Sequence, residues 1–389
     1  MAAPGDRPYL LDVSRLIWRR WAGRLPTGID RVCLAYLQHY RSQAQAVVQR
    51  GGLHRILDVA TSERLFDLLA EPGASFRSAF SRAVAGSWTG LLREGAGRGR
   101  LYLNVGHTGL DDPKLREWIA RSAVRPIFLI HDLIPITNPE FCRDGERDRH
   151  QARINTVLDT AAGVIGNSEA TIRDLRAYAD ARGKPNPRAI AAQLGIDNNG
   201  GAAPRILPFT DRPYFVVLGT IEARKNHLLL LQIWSRLVRD WGTAAPRLLI
   251  IGQRGWECEQ VLDVLDRSEL LTDSVVELGR CSDGEVATYL HGARALLFPS
   301  LAEGYGLPLV EALMGGTPVI ASDLPVFGEI AGAIPDYIDP LDGYRWLQAI
   351  RSYAGDGPDR SAQLARLQAF SAPTWSGHFR IVDDWLSTV

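Results

Sequence analysis

Two glutamates and a run of glycines stand out in the second half of the chain. Glu303 and Glu311 are eight positions apart, and residues 304–308 between them read Gly-Tyr-Gly-Leu-Pro. Proline suits the first position of a helix, so we expect a helix from about 309 to 314 after a glycine-rich loop. Unpaired N–H groups at a helix start bind anions, and glycine lets a ligand approach the backbone. The alternative is a charge that favours the helix dipole plus a solvated loop glutamate.

A pair of adjacent cations follows another predicted strand. In "GTIEARKNH" (219–227), Gly219 ends the strand, Arg224 and Lys225 stand together, and Asn226 is the expected N-cap of the next helix. Arginine and lysine form charge-assisted bonds to phosphate oxygens, so two cations at one sheet edge suit a diphosphate. The simpler interpretation is a pair of surface charges at a helix start.

The elements that must position these residues alternate between strands and helices. Short apolar runs separated by helices predict parallel sheets covered on both faces. The predicted strands of the first half are 9–14, 46–51, 101–106, 126–132 and 163–168. Those of the second half are 214–219, 247–252, 275–279, 295–300 and 318–323. Ser282 and Glu285 have the spacing of a capping box, which predicts that a helix begins there.

The length of 389 residues predicts more than one hydrophobic core. A polar stretch rich in glycine and proline, 183–213, separates the two series of strands. We therefore expect an α/β protein with two Rossmann-like doubly wound domains, at 1–207 and 208–372, facing each other across a cleft. Residues 373–389 are expected to form a last amphipathic helix. Ligands of such folds bind at the carboxyl ends of the strands.

Charge and cysteine content argue against several classes of protein. The 44 basic residues balance the 44 acidic ones, so we expect no nucleic-acid partner. The four cysteines lack the spacing of a zinc site or a disulfide framework, which favours a reducing cytoplasm. We also expect no signal peptide and no membrane-spanning segment.

The motifs around the cations and glutamates resemble those of the family 4 retaining glycosyltransferases, which use nucleotide sugars and have the GT-B fold. Glu303 and Glu311 meet that family's Glu-x7-Glu motif, and Arg224 and Lys225 meet its Arg/Lys pair. Three stretches of the first half (27–32, 131–142 and 167–175) resemble the family's landmarks there. "IGQRGWECE" (251–259) is similar to the mannosyltransferase-like branch. In this resemblance the last helix packs back on the first domain.

The resemblance implies a role for each matched residue. Glu311 would hold the ribose hydroxyls of the nucleotide, Glu303 would face the donor sugar, and the two cations would stabilise the leaving diphosphate. The implied catalytic residues are His131, Glu303, Arg224 and Lys225. The implied donor-binding residues are Gly28, Gly219, Arg224, Lys225, Gly304, Tyr305, Gly306, Leu307 and Glu311.

The first domain supplies the residues expected near the acceptor. His131 ends a predicted strand and would lie near the donor sugar and the acceptor hydroxyl; Asp132 and Arg31 are the acceptor-binding candidates. Gly28, in the loop "LPTGIDR", would let the backbone approach the donor diphosphate. The family more often has two glycines there. His131 has a structural alternative as a hydrogen-bonded histidine at a strand end.

These observations lead to the expectation of a retaining glycosyltransferase that needs no metal and no cofactor. We expect a hexose, with mannose from GDP-mannose as the first choice, to pass to a glycan or polyprenol-linked glycan in cell-surface polysaccharide synthesis. The competing classes are a sugar-nucleotide epimerase of the same fold and a non-catalytic nucleotide-sugar binding protein. "WRRWAGR" (18–24) either touches lipid headgroups at the inner face of the membrane or lines the first domain as an amphipathic helix.

Overall fold

The computed structural model describes residues 7–23, 27–71, 76–84, 96–196, 209 and 211–389. It divides into two compact units. The first contains 1–136, 147–194 and 375–389, and the second contains 137–146 and 195–374. The expected boundary at 207/208 lies outside the described residues. The division differs from the expected one in that residues 137–146 belong to the second unit.

The sheet of the first unit has seven strands among the described residues, in the order β3-β2-β1-β4-β5-β6-β7. All neighbours are parallel except β2 and β3, which form a hairpin. The strands are β1 Tyr9–Asp12, β2 Ala44–Arg50, β3 Leu53–Ile56, β4 Leu101–Asn104, β5 Arg125–Ile130, β6 Gly163–Gly166 and β7 Ala189–Ala191.

The sheet of the second unit is parallel throughout, with six strands in the described part of the chain, in the order β10-β9-β8-β11-β12-β13. The strands are β8 Tyr214–Leu218, β9 Arg247–Ile251, β10 Val275–Leu278, β11 Leu296–Phe298, β12 Val319–Ser322 and β13 Asp336–Ile338. All ten predicted strands are therefore confirmed, and β3, β7 and β13 are additions.

Helices connect the strands of both units. Those before β8 are α1 Ser14–Trp21, α2 Gly28–Tyr40, α3 Val59–Ala70, α4 Phe76–Ala83, α5 Pro113–Ser122, α6 Ile134–Thr137, α7 Glu146–Thr160 and α8 Glu169–Ala181. Those after it are α9 His227–Trp241, α10 Glu259–Arg267, α11 Asp283–Gly292, α12 Leu307–Met314, α13 Pro325–Ala331, α14 Gly343–Ala354, α15 Pro358–Leu367 and α16 Trp375–Leu386. The predicted capping box at Ser282 and Glu285 begins α11.

The final helix, α16, packs within the first unit. Tyr36 Oη lies 2.9 Å from His378 Nε2, and Tyr40 Oη donates to Asp383 Oδ1 at 2.6 Å. Phe379 stacks on His39 with 3.9 Å between ring centroids. These contacts join the end of the chain to α2 by aromatic packing as well as hydrogen bonds.

The two sheets share one topological feature that positions the candidate site. In each, the chain builds outward from a first strand in one direction and then returns to that strand's other side, so β1 neighbours β4 and β8 neighbours β11. We call these the first and second switch points. Loops that leave the carboxyl ends of two such strands diverge and leave a crevice. Within the described residues, no helix has the length and apolar character to cross a membrane.

Candidate active site

The second switch point brings together three of the residues that the sequence singled out, Arg224, Lys225 and Glu303. Arg224 and Lys225 follow β8 in a short 3₁₀ turn, and Glu303 follows β11. Lys225 Nζ donates to Glu303 Oε1 at 2.5 Å, and Arg224 Nη1 lies 2.8 Å from Glu303 Oε2. Glu222 completes the group, with Oε1 at 2.7 Å from Arg224 Nη2. We call Glu222, Arg224, Lys225 and Glu303 the charge cluster.

Three side chains of the charge cluster are almost fully removed from solvent, and that of Arg224 is 23% exposed. The side chains of Glu222 and Glu303 are 4% and 7% exposed, and that of Lys225 is 9% exposed. Burial alone would raise the pKa of Glu303, but Arg224 and Lys225 outweigh it and lower that pKa to about 2. Two carboxylates and two cations balance within the cluster, which is how buried charges are tolerated. The interpretation as surface charges is therefore wrong for Lys225, whereas Arg224 is half-buried.

Aromatic rings and one glycine hold the loop after β11 against the cluster. Lys225 Nζ lies 4.9 Å from the ring centroid of Phe298, which stacks on Phe327 at 4.8 Å. Gly306 has φ +117°, and a Cβ there would lie 2.8 Å from Phe327 Cε1. Only glycine suits that position, because L-residues avoid this φ and the ring leaves no room.

The helix after the glycine-rich loop is longer than expected. α12 begins at Leu307, so Pro308 is its second residue and not its first. The N–H of Leu309 donates to Gly306 O at 3.0 Å and is not open to a ligand. Glu311 is half-buried, a little more than one turn into α12.

The start of α9 differs from expectation in its capping bond. Asn226 occupies the N-cap position, but its backbone is left-handed (φ +56°) and its side chain makes no capping bond. Nδ2 donates instead to Pro340 O at 3.1 Å. Asn226 thus ties the cation-bearing turn to the loop after β13, and the predicted side-chain cap is wrong.

Sequence reasoning missed the residues that brace the turn after β8. Ile221 N donates to Gln253 O at 2.9 Å, and Gly255 N donates to Ile221 O at 3.0 Å, so pairing continues past the ends of β8 and β9. A Cβ at Gly252 would overlap the carbonyl oxygen of Gly219. The glycines of "IGQRGW" were the available signal: they mark a close approach of two backbones.

In the first unit, His131 and Asp132 follow β5. His131 is buried, its Nε2 lies 2.8 Å from Val105 O, and burial lowers its pKa to about 4, so the ring is neutral near pH 7. Asp132 Oδ1 accepts from Ile134 N at 3.1 Å. One ring nitrogen of His131 is therefore hydrogen-bonded, as the structural alternative expects of a histidine at a strand end. The catalytic role of His131 stays a prediction.

Gly28 and Arg31 lie on α2 and not in a loop. Gly28 is the first residue of this helix, and Thr27 and Asp30 form its capping box, with Thr27 N donating to Asp30 Oδ2 at 2.6 Å. Arg31 is exposed one turn further on. If the Gly28 backbone contacts a diphosphate as expected, the contact is therefore made by the start of a helix and not by a loop. Leu25 and Pro26 of the same motif lie outside the described residues.

Metal ligands are not grouped in the described part of the chain. Across the described ranges, no set of three His, Cys, Asp or Glu residues is arranged to hold a metal ion. The chemistry that the second switch point offers is electrostatic: fixed cations in a dry site stabilise charge that builds on a leaving group.

Comparison with known protein families gives a match that includes this site. Residues 202–333, which include the charge cluster and the loop after β11, match the family described as glycosyl transferases group 1. The matched segment therefore carries both the cations and the paired glutamates.

Sequence relatives of the chain include three O-antigen or serotype-specific mannosyltransferases. The serotype-specific mannosyltransferase WbdA of Escherichia coli is 31% identical over 218 residues, covering 52% of this chain and 26% of the relative. The O-antigen chain mannosyltransferase B of Escherichia coli is 33% identical over 227 residues, covering 56% and 58%. RfbU of Salmonella typhimurium is 30% identical, covering 36% and 38%. The match thus spans about a quarter of WbdA, the first of these relatives.

Solved structures resemble both units. HepE of Anabaena in complex with UDP has a TM-score of 0.69 at 16% identity, over 98% of this chain and 99% of that one. The sucrose-phosphate synthase of Thermosynechococcus elongatus has a TM-score of 0.60 at 15% identity, over 98% and 100%. The fold is GT-B, as expected from the sequence.

Proposed function

We propose that this chain transfers a mannosyl group from GDP-mannose to a hydroxyl of a glycan, with retention of the anomeric configuration and without a metal ion. The observation that carries this proposal is the charge cluster at the second switch point. A half-buried Arg224 and a buried Lys225 follow β8 beside the end of β11, and such cations are suited to a leaving diphosphate. The mannosyltransferase names of the relatives support the choice of sugar.

The pairing of Glu303 suggests how the donor enters. Its carboxylate bonds both cations, so a diphosphate that binds these cations must share them with it or replace it. A carboxylate displaced from the cations becomes available to the hydroxyls of the donor sugar. We therefore assign Glu303 to the sugar and Glu311 to the ribose, and place Gly219, Gly304, Tyr305, Gly306 and Leu307 around sugar and diphosphate.

In the first unit we assign His131 to the reacting hydroxyl and Asp132 and Arg31 to the acceptor. A neutral His131 can accept a hydrogen bond from a hydroxyl. Gly28, at the start of α2, remains the candidate for the donor diphosphate. We further propose that the acceptor glycan belongs to an O-antigen type of polysaccharide on a polyprenol carrier, at the cytoplasmic face of the membrane. Flotation of the chain with anionic liposomes tests that location; absence of flotation would contradict it.

Turnover of a panel of nucleotide sugars tests the main proposal. The chain is incubated with GDP-mannose, UDP-glucose and UDP-N-acetylglucosamine in EDTA, with a mannose oligosaccharide as acceptor, and nucleoside diphosphate release is measured. We expect release from GDP-mannose in EDTA and an α-linked product by NMR. Release only after a divalent metal is added would contradict metal independence. A new sugar nucleotide formed without acceptor would identify an epimerase, and donor binding without turnover would identify a binding protein.

A further inference from the structure

The first switch point carries a pocket of its own. It lies where β1, β2 and β4 end and has a volume of about 330 Å³. We call it the Trp18 pocket. Its lining residues, all in the first unit, include Trp18, Gln49, Arg50, Thr108, Gly109 and Asp112.

We propose that the Trp18 pocket binds one pyranose unit of the acceptor glycan. This inference rests on the proposed function, because that function requires a glycan bound on the first unit. The inference goes beyond the proposed function by naming a site and the residues that recognise the sugar. The volume of the Trp18 pocket is at the lower end for small-molecule sites, which run from about 300 to 1,000 Å³. This volume suits a single sugar ring better than a nucleotide.

The aromatic wall of the pocket is held in a fixed orientation. Trp18 Nε1 donates to Gln49 O at 2.8 Å. The ring meets Trp21 and Phe80 edge-on, with centroids 6.4 and 6.2 Å apart. The guanidinium of Arg50 lies 5.0 Å above the ring and, among the described residues, makes no ion pair. An exposed arginine on a braced indole offers a flat surface with N–H donors at its edge.

The floor of the pocket is a closed hydrogen-bond network. Gln49 Nε2 bonds Asp12 Oδ2 at 2.5 Å and Tyr102 Oη at 2.8 Å, and the Asp12, Gln49 and Tyr102 side chains are buried. A Cβ at Gly109, where φ is +68°, would overlap Gln49 Oε1. Because the two amide hydrogens already have partners, the floor is rigid and polar, as a site for hydroxyl groups requires.

The rim favours a neutral ligand over an anion. Asp112 Oδ1 accepts from Lys114 N at 2.9 Å and caps α5, so the N–H group that an anion would use is taken. The second oxygen, Oδ2, has no hydrogen bond to the described residues and can accept from sugar hydroxyls. The charges of Asp112 and Arg50 offset each other across the pocket. A phosphate would meet the carboxylate, whereas a sugar can bond both groups.

Saccharide binding in the absence of donor tests this proposal directly. Mannotriose and maltotriose are the neutral probes, and mannose 1-phosphate and inorganic phosphate are the anionic ones; binding is measured by saturation-transfer NMR titration. We expect a neutral trisaccharide to bind, and Trp18→Ala and Asp112→Asn each to weaken it by about tenfold or more. Asn at 112 keeps an oxygen for the α5 cap, so this variant remains folded if Trp18→Ala does not.

Matched controls lie elsewhere in the chain. Trp241 is also partly exposed beneath an arginine, with Arg351 5.8 Å from its ring, and Asp58 caps α3 as Asp112 caps α5. Trp241→Ala and Asp58→Asn should bind the trisaccharide as the wild type does. Unchanged binding in both pocket variants, binding of the anions alone, or no saccharide binding by the wild type would overturn the proposal.

Turnover separates failure of the pocket from failure of the proposed function. With mannotriose as acceptor, the pocket variants should raise its KM and leave acceptor-independent GDP release unchanged. If GDP-mannose is not turned over but the trisaccharide binds at the pocket, the function is wrong and the pocket stands. If GDP-mannose is turned over and the KM for mannotriose does not change, the pocket is wrong and the function stands.

Discussion

The two switch points occupy equivalent places in two similar sheets but are built from different chemistry. In the second, three ion pairs link four charged side chains in a row. The first has an aromatic wall on a floor of amide, phenol and carboxyl groups, in which burial raises the pKa of Asp12. Fixed cations suit a ligand that gains negative charge during a reaction, and a buried polar network suits hydroxyls that do not. The same type of sheet, present in both units, can therefore provide one site suited to a donor and another suited to an acceptor.

Removal of a cation from the second switch point is the strongest way to break this comparison. Arg224→Ala or Lys225→Ala should lower kcat/KM for GDP-mannose by about 30- to 1,000-fold, or about 2–4 kcal/mol of transition-state stabilisation. Nucleoside diphosphate release measures it. Arg236→Ala removes an exposed ion pair with Asp240 in the same unit and should have no comparable effect. Full turnover in either cation variant would exclude the diphosphate role.

Glu303 should link stability to pH at this switch point. The pKa of Glu303 is about 2 when folded, below its ordinary value of 4.5, so the ionised form favours folding. This contribution is complete above pH 4.5 and is lost as the pH falls toward 2. A shift of this size corresponds to about 3 kcal/mol. Glu303→Gln should therefore be less stable near neutral pH and show a flatter stability curve across that window, measured by urea unfolding.

Glu269→Gln, at an exposed position in the same unit, is the control for that measurement. It should leave the pH dependence of unfolding close to that of the wild type. A wild-type curve that is already flat between the two pH limits would mean that Glu303 is not held ionised by Arg224 and Lys225.

At the second switch point, the sequence could predict which residues form the site, but it could not predict which of them pair with each other. Arg224, Lys225 and Glu303 follow strands whose apolar runs are clear, so their place at one sheet edge was predictable. Glu303 is 78 positions from Lys225 along the chain, and the contact depends on β11 returning beside β8. No local pattern reports that distance, and the glutamates had no visible ion-pair partner in the sequence.

The first switch point was hidden for a related reason. Trp18, Gln49 and Thr108 come from three separate stretches and form no motif. Strands β7 and β13 have three residues each, too few for a period to show, and β3 depends on the turn at Gly51 and Gly52 with positive φ at both. Sequence patterns predicted the sheets well because a short apolar run marks each buried strand. They missed features made by the joining of distant loops.

Glycine substitutions compare the packing of the two switch points. An alanine at 306 (Gly306→Ala) would have a positive φ and a Cβ too close to Phe327, and an alanine at 109 (Gly109→Ala) would have a positive φ and a Cβ that overlaps Gln49. Both should lose about 1–3 kcal/mol in the free energy of unfolding. Gly316 and Gly99 also have positive φ, at +80° and +74°, but open space around them. Their alanine variants should lose less, about 1 kcal/mol, by urea unfolding. Equal losses within each pair would mean that backbone strain alone requires glycine.

The two capping boxes give the smallest and most specific contrast. Thr27→Ala in the first unit and Ser282→Ala in the second should each lower the free energy of unfolding by about 1 kcal/mol, because each removes a helix cap. Their effects on turnover should differ. The Thr27 box begins the helix that carries Gly28 and Arg31, the candidates for contact with donor and acceptor, whereas Ser282 begins a helix with no assigned residue. If turnover falls only in Thr27→Ala at matched stability, the start of α2 touches substrate. If both variants keep full turnover, the proposed substrate contact at the start of α2 is contradicted.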